Sequence, residues 1–180
     1  MSERGDGVFK LNYHSSILIS SFCHVVILSE PNYAGNIIVI LANLPDFLRT
    51  PILKKRMLEF FSMTESDRRE IINNALEAGP TIPFPNFSKL FKTWLEVLTT
   101  VTEEQRGLMF SKYIDEIGSA PQKLINFNLD GIFEIFLSLD SSKKEILTNS
   151  INRIISNLDE NRKKKIFLII PENAKKQLGF

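Results

Sequence analysis

The sequence predicts an all-α protein, built from antiparallel helical hairpins of about 38 residues stacked as a helical repeat or compact bundle. Three observations predict it. A segment recurs: MLEFFSMTESDRREIINNAL from Met57 aligns with LEVLTTVTEEQRGLMFSKYI from Leu95 and FEIFLSLDSSKKEILTNSI from Phe133, so each interval is 38. Helix-boundary residues fall on a ruler of half that length, 19, at Pro45, Thr64, Pro83, Thr102, Pro121, Asp140 and Asp159. Between these markers the apolar residues keep helical spacing, as in Phe87, Leu90, Phe91, Trp94 and Leu98.

The chain opens on residues 1–12, rich in glycine and charge, which are expected to be disordered. Residues 13–44 form an apolar N-terminal segment in which ILISSFCHVVIL and NIIVIL flank the turn-like SEPNYAGN. Their β-branched content leaves a β-hairpin and two buried helices open. The helical-repeat domain is expected to run over 45–180.

Within that domain each marker has a physical cause. Thr and Asp side chains accept hydrogen bonds from the orphan N–H groups of a first helical turn, and the TEEQ run Thr102–Gln105 has capping-box spacing. Proline lacks the N–H that a helix interior must donate, so it marks a start or an end. Four residues past three caps stands a base, Arg68, Arg106 or Lys144. Helices of about 14 to 17 residues follow, joined by short connections that favour antiparallel neighbours. At the C-terminus IFLII precedes Pro171 as a helix end or a short strand, and a short helix is predicted from Glu172 to Leu178, ending at Gly179.

The tail ISNLDENRKKKIFLIIPENAKKQLG resembles, over about 25 residues, the short-helix superhelical domains of flagellar motor-switch proteins and magnesium transporter N-domains. The shared feature is Leu-x-x-Leu spacing, and the helices of those families are shorter than a 19-residue ruler gives.

Composition narrows function by exclusion. Twenty-two basic and 21 acidic residues give no global field to steer a polyanion, so any such patch is local. The single cysteine, Cys23, excludes an internal disulfide and points to a cytoplasmic location. The longest apolar run, Ile17 to Leu28, is shorter than the ~20 residues a spanning helix needs, so no membrane insertion is expected. The scattered glycines form no phosphate loop, so no nucleotide cofactor is expected.

His14, Cys23 and His24 are the only residues of their types, and adjacency of the last two gives no metal-ligand spacing. A Cys–His dyad would need His14 brought in by the fold. Asp115 and Glu116 are the densest acidic pair outside a first helical turn, with no histidine near in sequence. No cofactor, metal or catalytic residue is therefore assigned, and the expected role is a non-catalytic scaffold or adaptor that binds a protein partner. Its candidate surface is the proline-rich turn at Pro83, Phe84, Pro85 and Phe87, conditional on those rings being exposed. The aromatic stripe through Phe84, Phe87, Phe91 and Trp94 reads as core, with the lining of a ligand groove as its alternative. The alternative is a nucleic-acid-associated factor using Arg162, Lys163, Lys164, Lys165, Lys175 and Lys176, against the reading of those cations as a solvated helix end.

Overall fold

In the computed structural model of the protein, residues 33–178 are described, and they belong to one compact unit. The described residues form nine α-helices and no strand. These are α1 (Tyr33–Asn43), α2 (Asp46–Ser62), α3 (Glu65–Ala78), α4 (Phe84–Leu98), α5 (Glu103–Ser119), α6 (Leu129–Leu137), α7 (Ser141–Ser156), α8 (Glu160–Ile169) and α9 (Glu172–Leu178). Two 3-10 turns, Gly79–Thr81 and Pro121–Leu124, precede α4 and α6. No described helix is long and apolar enough to cross a membrane.

All seven ruler markers are helix junctions. Thr64, Thr102 and Asp159 each accept a backbone N–H of the following first turn, and Thr102 with Gln105 closes a full capping box. Pro45 and Pro83 stand immediately before α2 and α4. Two markers act differently from expectation. Asp140 precedes α7, but its carboxylate bonds no backbone N–H and instead pairs with Lys143 at 3.2 Å. Pro121 opens a 3-10 turn rather than an α-helix; α6 begins only after Asn128, whose Oδ1 accepts from Gly131 N. That delay shortens α6 to nine residues, below the expected 14 to 17.

In the segment left open by sequence, NIIVIL is helical as part of α1, whereas ILISSFCHVVIL lies outside the described residues. The expectation of disorder over 1–12 falls outside them too, as does Gly179. IFLII is helical up to Ile169 and extended at Ile170. The last predicted helix occupies Glu172–Leu178. Pro51 sits inside α2, where the ruler placed no break.

From α1 to α7 each helix packs chiefly on the next but one, α1 on α3, α2 on α4, α3 on α5, α4 on α6 and α5 on α7, whereas α8 packs on α5. Over α1–α7 odd-numbered and even-numbered helices thus form two layers, as stacked antiparallel hairpins require. Ion pairs add further ties: Glu65 on α3 meets Lys112 on α5, whereas Glu96 on α4 meets Lys143 on α7 and Asp115 on α5 meets Arg162 on α8. Such exposed pairs contribute only ~0.2–1 kcal/mol each, so apolar burial carries the stack.

The buried apolar residues fall into two clusters. The larger gathers Met57, Phe60, Ile72, Leu98, Met109 and Leu147, among others, and the smaller Leu41, Ala42, Leu53, Ile82 and Leu90. Trp94 packs against both.

Candidate functional site

Between the two core clusters lies a half-open apolar cleft of about 330 Å³.

The cleft exists because the aromatic stripe of α4 stands between the layers without filling the space between them. Phe84, Phe87, Phe91 and Trp94 stack in series, with ring centroids 6.3, 5.7 and 5.6 Å apart. Phe127 meets Phe87 edge-on at 5.8 Å, and Tyr113 meets Trp94 at 5.5 Å. Phe87, Phe91 and Trp94 remain half-buried and line the cleft, so the stripe is a cleft wall as well as core packing.

Sequence spacing could not separate these roles, because a wall and a core face share one helical period. Two glycines let the rings approach. A Cβ on Gly79 would lie 2.6 Å from the Phe127 ring, and one on Gly131 would collide with the Phe84 ring.

The lining is apolar except for Trp94 and Tyr113, and neither donates a hydrogen bond to a described residue. Burial pushes the Tyr113 phenol up to about 12, so it is a protonated donor at neutral pH. Were a void of this size fully enclosed and empty, it would cost ~8 kcal/mol at ~24 cal/mol per Å³. That approaches the whole ~5–15 kcal/mol by which a domain is stable.

The proline-rich turn is exposed at Pro83, Phe84 and Pro85, and half-buried at Phe87. Asn86 Nδ2 donates to Asn43 Oδ1 at 2.9 Å, tying this turn to the corner between α1 and α2. That corner carries large exposed apolar groups, Ile40 at 58%, Phe47 at 75% and Leu48 at 42% exposure. Turn and corner are therefore linked parts of one surface, and α1–α2 gave no sequence signal for it beyond apolar content.

The basic residues are not gathered into one free patch. Arg162 pairs with Asp115 and Asp159, Lys163 with Glu160, and Lys175 with Glu172. Lys164, Lys165 and Lys176 are exposed and form no ion pair with a described residue. The helix-end reading needs a correction for the first four. Arg162 to Lys165 follow Glu160 and Asn161 at the start of α8, nearer the end whose dipole disfavours cations, and the Asp159 cap and Glu160 offset it. Lys175 and Lys176 do lie in a last turn, that of α9.

Elsewhere Asp115 and Glu116 serve the stack: Asp115 meets Arg162, and Glu116 meets Arg69 at 3.0 Å and Asn73 at 2.9 Å. No group of three or more metal-ligating side chains occurs among the described residues, and His14, Cys23 and His24 lie outside them.

Fold and surface together define a two-layer all-α protein with an apolar interlayer cleft and an exposed apolar corner. No protein-family model, no curated protein and no solved structure matches the chain.

Proposed function

We propose that the chain is a non-catalytic helical scaffold that binds a protein partner at the corner formed by α1, α2 and the Pro83–Phe87 turn. The observation that supports this reading is the exposure of Ile40, Phe47, Leu48 and Phe84 on elements joined by the Asn86–Asn43 bond. Scattered exposed apolar side chains are ordinary, but a linked set on one corner is what a partner buries. The prolines at 45, 83 and 85 hold that surface in shape and lower the ordering cost of binding. The single cysteine supports a reducing, cytoplasmic setting.

Photo-crosslinking residues placed at Phe47 and at Phe84 test the reading, with Glu145 on α7 as the control position. One partner captured at both apolar positions and absent at Glu145 is expected. Phe47→Asp combined with Phe84→Asp should abolish that capture while the helical circular-dichroism spectrum persists. Equal capture at Glu145, or capture indifferent to the double substitution, counts against the proposal.

A further inference from the structure

We propose that the cleft between the two core clusters is a binding site for a single unbranched acyl chain with a hydrogen-bond acceptor at one end, as in a fatty acid. The cleft shares Phe87 with the partner corner, but the proposal does not depend on that reading.

Volume and lining choose the occupant. At about 330 Å³ the cleft sits at the lower end of the ~300–1,000 Å³ of small-molecule sites. One turn of a helix, ~10 Å across and ~5.4 Å long, already occupies ~400 Å³, so a partner helix does not fit. An extended peptide would bring an amide every ~3.3 Å, each with a donor and an acceptor to satisfy. The side chains lining the cleft offer two donors, Trp94 and Tyr113, and no strong acceptor. An acyl chain makes no such demand along its length. Its single polar end is an acceptor, which is what a protonated phenol and an indole N–H can meet. Phe87, Phe91 and Trp94 present flat walls to it, and Ala75 leaves room on the α3 side.

The test uses the full chain and cis-parinaric acid, an unbranched polyene fatty acid that accepts excitation energy from tryptophan. Trp94 is the only tryptophan of the sequence, so energy transfer reports on this wall of the cleft. Saturable transfer at one molecule per chain is expected, reversed by palmitic acid below its aggregation concentration and not by a compact sterol.

Ala75→Leu and Ile132→Phe fill the cleft from α3 and α6, and each should weaken binding about tenfold or more. Tyr113→Phe should weaken binding of the acid several-fold and leave an alkane of equal length unaffected. Absence of transfer, transfer indifferent to a filling variant that folds, or displacement by the sterol but not by palmitic acid would overturn the proposal. If neither filling variant folds, the palmitic acid and sterol competition on the unmodified chain decides.

Discussion

Arg49 and Arg106 stand three 19-residue intervals apart and make the same set of bonds. Each guanidinium donates to the carbonyl eight residues back, Leu41 O at 3.0 Å and Leu98 O at 2.9 Å. Each also donates to the carbonyl five back, Leu44 O and Val101 O, and pairs with the carboxylate three back, Asp46 and Glu103. Each reaches a hydroxyl on the next-but-one helix, Thr93 Oγ1 at 3.3 Å and Ser150 Oγ at 2.7 Å. Arg68 does part of this, donating to Phe60 O and Phe61 O, and Lys144 reaches Leu137 O. The base four residues past a marker is therefore a clasp. It satisfies the orphan carbonyls at the end of one helix from the first turns of the next, where the negative end of the dipole favours a cation.

The clasp should be costly to remove where it is buried. Arg106→Met leaves the Leu98 and Val101 carbonyls without their donor, and is expected to lower stability by ~1–3 kcal/mol. Arg106→Lys should recover only part, because one ammonium cannot reproduce a fork that serves carbonyls, hydroxyl and carboxylate together. Urea denaturation of the three proteins checks both expectations, and equal midpoints for the native chain and Arg106→Met would refute the clasp.

Caps that look alike in sequence should differ in weight. Thr102 closes a capping box, so Thr102→Ala is expected to cost ~1 kcal/mol. Asp140 bonds no backbone N–H and holds only an exposed pair with Lys143, so Asp140→Ala should change stability by less than ~0.5 kcal/mol. Thermal or urea unfolding of the two variants side by side measures the difference.

The close approach of Phe84 to α6 needs a residue without a side chain at 131. Gly131→Ala drives a methyl into the Phe84 ring and against the Asn128 cap, with an expected cost of ~1–3 kcal/mol. Phe84→Leu in the same chain should return part of that loss by freeing the space. A double-mutant cycle reads the coupling, and strict additivity would mean that ring and glycine do not meet in solution.

Local chemistry was the legible part of this fold. Thr64, Thr102 and Asp159 act within one helical turn of themselves, so a single sequence is enough to place them. Pro121 marked an end correctly, but the next start is set by Asn128, whose bond to Gly131 carries no proline and falls off the ruler. Arg49 escaped notice because its marker is Pro45, and the base pattern was visible only behind Thr and Asp caps. The cleft was legible only as the second of two readings of the aromatic stripe. It arises from spacing between layers, and the period of Phe87, Phe91 and Trp94 is the same whether their rings meet side chains or empty space.

Acid should loosen the stack through Glu103. Burial raises its carboxyl, but hydrogen bonds from Ser150 and Arg106, with the charges of Arg106 and Arg153, outweigh that and hold it below its ordinary 4.5. A carboxyl depressed in the folded state stabilises the fold fully above its unfolded value and loses that contribution as pH falls through the folded one. Glu103 joins α5 to α7 through Ser150 Oγ, 2.7 Å away, so protonation weakens the same junction that Arg106 clasps. Stability of the native chain should therefore fall on acidification below about pH 4.5 more steeply than that of Glu103→Gln, which cannot titrate there. Urea midpoints recorded across that range for both chains measure the difference in slope. Parallel curves would mean that the Glu103 carboxylate is as free in the fold as in the unfolded chain.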